Sequence, residues 1–155
     1  MSGHAGDGSG RQFVTIRLGG QLIGMPIEKV QDVFFPDNFT HVPLASEKIA
    51  GILNLRGRIV TIVDLSRIMG TDAVNQTITE RPAVGVICDN ESYGLLTDTL
   101  GEVVTLSDDL FEANPVNIDP DWAQLCLGAY RLENELLMVL DVDSLIAGLL
   151  RKDAA

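Results

Sequence analysis

The stretch Phe13-Val14-Thr15-Ile16-Arg17-Leu18-Gly19-Gly20-Gln21-Leu22-Ile23-Gly24 returns 70 residues later, without a gap, as Ala83-Val84-Gly85-Val86-Ile87-Cys88-Asp89-Asn90-Glu91-Ser92-Tyr93-Gly94. Both copies have two short apolar runs around a two-residue pair that favours a hairpin turn, Gly-Gly in one and Asp-Asn in the other. The match continues as Val30-Gln31-Asp32-Val33 onto Leu100-Gly101-Glu102-Val103. With the offset opened to 77, Gly51 meets Gly128, Ile59–Val63 meets Leu136–Leu140, and Asp64 meets Asp141. An internal repeat of this kind governs the fold.

Each copy reads as strand, turn, strand, strand, loop, strand, turn, strand, with a helical turn after the aspartate. Further strand-like runs lie at Ile49–Leu55, Tyr93–Thr97 and Leu125–Arg131, and only Leu65–Met69 and Ser144–Arg151 read as helical. Five strands bury little alone but can close into a small barrel, and two packed barrels leave few free edges. The fold class expected is all-β: two five-stranded β-barrels packed together, with a short C-terminal helix. The expected boundaries are a flexible Gly-rich tail at 1–11, a first barrel at about 12–70 and a polar linker at about 70–82. A second barrel at about 83–142 and a helix at about 143–151 complete a single unit over 12–150.

The chain has 155 residues and a net charge of −11, and the charge is uneven. Residues 1–75 carry seven acids and seven bases, whereas residues 76–155 carry 15 acids and four bases. Such a surface repels phosphate backbones, which argues against nucleic acid and anionic membranes. The first residues have neither the basic nor the apolar region of a signal peptide, and no apolar run approaches membrane-spanning length. Cys88 and Cys126 sit among apolar residues at a spacing that fits no metal or redox motif, so buried reduced thiols are expected.

Catalytic patterns are sparse. His41, before Val42-Pro43, is the one histidine outside the tail and reads as a loop residue. No metal-ligand, phosphate-loop or nucleophile-elbow motif occurs, and no cofactor is expected. Asp64 and Asp141 could serve as paired carboxylates of a hydrolase. Their place at a strand end before a helical segment fits helix capping better. The segment Asn54-Leu55-Arg56-Gly57-Arg58 departs from a bland hairpin, because its repeat equivalent, Arg131-Leu132-Glu133-Asn134-Glu135, lacks the same pattern. A feature in one copy alone points to function, and a planar, permanently charged Arg56 suits a partner's carboxylates or carbonyls.

Asn54-Leu55-Arg56-Gly57 followed by Ile59-Val60-Thr61-Ile62-Val63-Asp64-Leu65 resembles the signature of the CheW family of bacterial chemotaxis coupling proteins. Ile23-Gly24, Val30-Gln31-Asp32-Val33, Val42-Pro43, Tyr93-Gly94-Leu95-Leu96-Thr97-Asp98 and Leu136–Asp141 support it in order. Thr61 and Thr97 replace residues usual in the family, and Phe111–Trp122 is longer and more acidic. The resemblance implies two SH3-like barrels and a cytoplasmic, non-enzymatic adaptor at receptor arrays. Its implied partners are the regulatory domain of a CheA-type histidine kinase and the tips of methyl-accepting chemoreceptors, with rings built among CheW and CheA domains. It places Val30, Asp32, Val33 and Gly51 at the kinase surface. Asn54, Arg56, Leu100 and Val103 would lie in a receptor groove between the barrels. Val30, Val33, Leu100 and Val103 are also repeat-equivalent and fit a barrel core as well. A CheW-like scaffold of another circuit, for surface motility or second-messenger control, would share these residues.

Overall fold

The computed structural model describes residues 10–41, 48–71, 78–113 and 120–154. The expected tail up to residue 9, Val42-Pro43, and most of the linker fall outside them. In order, the strands are β1 (Gly10–Leu18), β2 (Gln21–Pro26), β3 (Val30–Phe34), β4 (Ile49–Leu55) and β5 (Arg58–Asp64). Then follow β6 (Ala83–Cys88), β7 (Glu91–Leu96), β8 (Thr99–Ser107), a two-residue β9 (Phe111–Glu112), β10 (Cys126–Arg131) and β11 (Leu136–Leu140). Three helices, α1 (Leu65–Met69), α2 (Pro120–Ala123) and α3 (Val142–Ala154), lie between and after them. The strand β9 and the helix α2 had no counterpart in the sequence reading, and α3 is longer at both ends than Ser144–Arg151.

Three tight hairpins turn through paired positive φ angles: Gly19-Gly20 (56° and 83°), Arg56-Gly57 (54° and 83°) and Asp89-Asn90 (52° and 67°). Both central residues in that region give the mirror-image turn whose twist matches the flanking strands.

The strands form a six-stranded sheet, β8-β1-β2-β11-β10-β9, and a five-stranded sheet, β3-β6-β7-β5-β4. This corrects the sequential assignment of strands to barrels at 12–70 and 83–142. Each repeat lends its first hairpin to the other: β1 and β2 join β8–β11, while β6 and β7 join β3–β5. The exchange runs through two parallel pairings. Val60 faces Ser92 and Ile62 faces Gly94 in one, and Leu137 faces Leu22 and Val139 faces Gly24 in the other. Those registers are related by the same offsets of 70 and 77 found in the sequence. The repeat holds; which strand pairs with which is a long-range choice that local pattern does not encode.

Three apolar clusters follow from this geometry. Leu53, Val60, Ile62, Ala83 and Leu96 fill the five-stranded barrel. Phe13, Tyr130, Leu137 and Val139 fill the six-stranded one, where the Phe13 and Phe111 rings pack 5.5 and 5.4 Å from Tyr130. The largest cluster lies between them, where Ile16, Leu18, Ile23 and Met25 of one sheet meet Val63, Val84, Val86 and Leu95 of the other. Val142, Leu145, Ile146 and Leu149 of α3 close that seam, each such side chain contributing about 1.5–3 kcal/mol of burial. Both cysteines are free and half-buried rather than fully buried. Burial, with Asp141 adding a smaller effect, pushes the Cys126 thiol up to about 12.

Candidate functional site

The β4–β5 turn is built by its own side chains. Asn54 Oδ1 accepts a hydrogen bond from the Gly57 amide at 3.0 Å, fixing the reversal. Arg56 is thereby held at a positive φ with its side chain 77% exposed. Its Nη1 lies 3.5 Å from Asp32 Oδ2 on β3. Beside it, Arg58 Nη1 donates to Gln31 Oε1 at 3.0 Å. Strands β3 and β4 are opposite ends of the five-stranded sheet, so these two contacts draw its ends together. The Thr40–Ile52 backbone pair, at 2.6 and 2.8 Å, does the same further along.

Seven of the eight expected site residues reach the surface in some degree. Val30, Asp32 and Val33 lie on β3: Val30 is half-buried against the seam core, and Val33 is exposed. Asn54 and Arg56 are exposed at the turn, and Arg56 reaches Asp32. Leu100 and Val103 are exposed on β8, the end strand of the other sheet. Gly51 differs, being buried with the Thr40 carbonyl and the Phe39 ring over its Cα. It shapes the surface by letting the 39–40 segment cross β4, and it presents no side chain to a partner. Gly128 does the same under Glu112 and Phe111, and each glycine sits beside an equivalent register shift.

The pairing of β3 with β6 and of β8 with β1 is equivalent. Val30 faces Val86 and Val33 faces Val84, while Leu100 faces Ile16 and Val103 faces Val14. Val30 and Val33 of the expected kinase surface and Leu100 and Val103 of the expected receptor groove therefore occupy one structural position in two copies. Asn54 and Arg56, by contrast, lie at the turn beside Asp32 in the first barrel. Other exposed apolar side chains flank the first copy, with Phe35 57%, Ile59 60% and Ile87 45% exposed.

Sequence reasoning missed a buried charged joint. Asp64 caps α1 as expected, accepting from the Ser66 amide at 3.0 Å. It also pairs with Arg81 Nη2 at 3.3 Å, and the same nitrogen reaches Asp98 Oδ1 at 3.4 Å and Ser66 Oγ at 2.9 Å. Arg81 Nε donates to the Thr97 carbonyl at 3.1 Å. Asp98 Oδ2 in turn accepts from the Gly19 amide at 2.8 Å, and the Asp98 amide donates to the Arg17 carbonyl at 3.1 Å. Arg81, Asp64 and Asp98 are all nearly inaccessible to water. Such charges persist only when paired and hydrogen-bonded. The joint runs from the end of β5 to the tip of the β1–β2 hairpin, so it links the two sheets. The available signal was an arginine before Pro82 at the end of a polar stretch, with Thr97-Asp98 closing a strand.

Asp141 caps α3, accepting from the Ser144 amide at 3.2 Å and the Ser144 hydroxyl at 2.8 Å. Both carboxylates of the hydrolase alternative are thus engaged by local partners. Among the described residues no cluster of His, Cys, Asp and Glu has metal-site geometry, and no helix is long and apolar enough to cross a membrane.

Two SH3-like barrels with exchanged hairpins, a shared core and equivalent end strands define an all-β double-barrel protein. Residues 12–149 match the CheW-like domain, and the chain belongs to that family. It is 27% identical over 136 residues to the chemotaxis protein CheW of Rhizobium meliloti, covering 87% of this chain and 86% of that one. To the chemotaxis protein CheW of Treponema pallidum it is 28% identical, covering 88% and 82%. The crystal structure of the scaffolding protein TtCheW from Thermoanaerobacter tengcongensis superposes with a TM-score of 0.77 at 24% identity, covering 87% of this chain and 91% of that one.

Proposed function

We propose that this chain is a non-enzymatic adaptor of a chemosensory array, coupling the cytoplasmic tips of chemoreceptors to a CheA-type histidine kinase. One observation carries the reading beyond family membership. The two barrels present equivalent end strands, Val30/Asp32/Val33 and Leu100/Glu102/Val103, and the first has Arg56 paired to its acid whereas Glu102 has no ion pair among the described residues. Two unlike docking strips on one body with a common core are what a coupling protein needs. The first strip, shaped by Gly51, faces the kinase regulatory domain. The second, together with Asn54 and Arg56, faces an amphipathic receptor helix, with apolar anchors for affinity and the arginine for register. The same strips serve ring contacts with kinase regulatory domains or further copies of the chain. The chain then works in the cytoplasm, at the receptor array.

The test is a pull-down of purified chain with a kinase regulatory domain and, separately, with a receptor-tip fragment. Binding of both at micromolar concentrations supports the reading, and binding of neither at tens of micromolar ends it. The neighbouring genes assign the circuit: a kinase and receptor of surface motility or of second-messenger control would move the same adaptor there.

A further inference from the structure

The two barrels differ at one equivalent cleft. In the five-stranded barrel it lies between β3 and the β4–β5 turn, over Gly85, Ser92 and Val60. Asp32–Arg56 and Gln31–Arg58 span it, and no space large enough for a water molecule remains inside. The offsets of 70 and 77 carry those residues onto Glu102, Glu133, Gly101 and Glu135 of the other barrel, so an acid stands in place of Arg56. There the bridging pairs are gone. Gly101 has no side chain in place of Gln31, and Glu135 replaces Arg58 and turns to Arg17, at 2.9 Å. Thr15 stands where Gly85 was, and its hydroxyl donates to the Glu102 carbonyl at 2.6 Å. A side chain at residue 15 fills the place over which Asp32 folds inward in the first barrel, so the Glu102 carboxylate stays outside. The cleft is open, with a volume of about 310 Å³. Its apolar walls are Leu22, Leu100, Val104, Leu132 and Leu137, and its charged rim is Glu102 with the Arg17–Glu135 pair.

The closed cleft shows what the open one lacks. In the first barrel an arginine from the turn meets the end-strand acid. In the second, Glu102 is exposed and has no ion pair among the described residues. The surrounding half of the chain carries the entire excess of acid, which favours a basic ligand. We propose that this cleft receives a segment of a partner protein in which an arginine or lysine adjoins an apolar side chain. The apolar group enters between Leu22, Leu100, Leu132 and Leu137, and the cation meets Glu102. The inference deepens the adaptor reading, which shares Leu100; that reading supplies only the owner of the segment.

Backbone amide NMR on the full chain, titrated with acetyl-Ala-Leu-Arg-Ala-amide at millimolar concentration, tests it. Thr99–Glu102 and Leu132–Glu135 should shift, and the peptide with Glu in place of Arg should leave them unmoved. Glu102→Gln should weaken the response about threefold to fivefold, the upper end for an exposed ion pair, and flatten its dependence on salt. Glu133→Arg with Glu135→Arg copies the two arginines of the closed cleft and should abolish it; if that variant does not fold, Glu102→Gln decides. Equal shifts with both peptides, or none with either, overturn the proposal. Shifts of the same amides with chain concentration alone also overturn it, by assigning the cleft to the Leu55-Arg56 turn of a second copy. Failure of the pull-downs with a positive titration would remove the adaptor reading and leave the cleft.

Discussion

Arg56 and Asp32 form an ion pair at 3.5 Å between a hairpin turn and an end strand, so the residue assigned to the receptor and one assigned to the kinase touch each other. Arg56→Glu places two carboxylates together there. Its expected effect on stability is within about 0.5 kcal/mol, because the side chain is exposed. Receptor-fragment affinity should fall about tenfold or more, the scale of an interface anchor. Asp32→Asn should also change receptor binding, and a double-mutant cycle should show coupling between the two positions. A large drop in melting temperature for Arg56→Glu would make Arg56 structural and remove it from the interface.

Arg81→Met leaves Asp64 and Asp98 buried without their shared cation. The expected loss is about 3–5 kcal/mol, the cost of breaking a buried pair from one side, read as a lower urea midpoint. Removing a carboxylate as well, Arg81→Met with Asp98→Asn, should recover part of it. An unchanged midpoint for the single variant would show that the joint contributes nothing.

The two caps should separate in size. Asp141→Ala is expected to cost about 1 kcal/mol, as an ordinary helix N-cap. Asp64→Asn should cost more, because that carboxylate also neutralises Arg81. Chemical denaturation measures both. Loss of a hydrolytic turnover in Asp64→Asn with stability intact would revive the paired-carboxylate enzyme.

Gly51→Ala and Gly128→Ala put a methyl group against the carbonyl of a crossing segment, Thr40 in one case and Glu112 in the other. Backbone yields little, so each should lose about 1–3 kcal/mol, the usual cost of overpacking. Reduced kinase binding in Gly51→Ala should track this loss and disappear at lower temperature. If binding falls while the melting temperature holds, Gly51 touches the partner directly.

The Cys126 thiol keeps its proton up to about 12 in the folded chain, whereas an unfolded thiol loses it near about 8.5. Between those values the folded state binds the extra proton, so stability should fall as pH rises and be unaffected by this group below them. Comparing Cys126→Ala with the parent in alkaline denaturation checks the slope. Rapid alkylation of Cys126 at pH 8 would contradict it.

Much of this was legible in the sequence because the information was local. Gly19-Gly20 and Asp89-Asn90 announce turns, Asp64 and Asp141 stand where caps belong, and the 70-residue echo exposes the duplication. Partner choice was not legible. Nothing in Gln21–Pro26 tells that it pairs with Leu136–Leu140 rather than with its own repeat, since both strands are apolar and of similar length. Arg81 was hidden for a related reason: in a polar stretch it looks solvated, and only folding brings two carboxylates to it. The surface residues were legible only through the motif, because exposure on an end strand has no signature distinct from core.

The hairpin exchange sets an order of events during synthesis. The five-stranded barrel has all its strands once Leu96 has emerged from the ribosome, well before the chain is complete. The hairpin at Gly10–Pro26 comes out first yet must wait for Thr99–Ser107 and then Leu136–Leu140 to cover its edges. A nascent chain with residue 113 just outside the ribosome should therefore hold one closed barrel and one protease-sensitive ribbon, the first-made strands of the fold being the last to find their place.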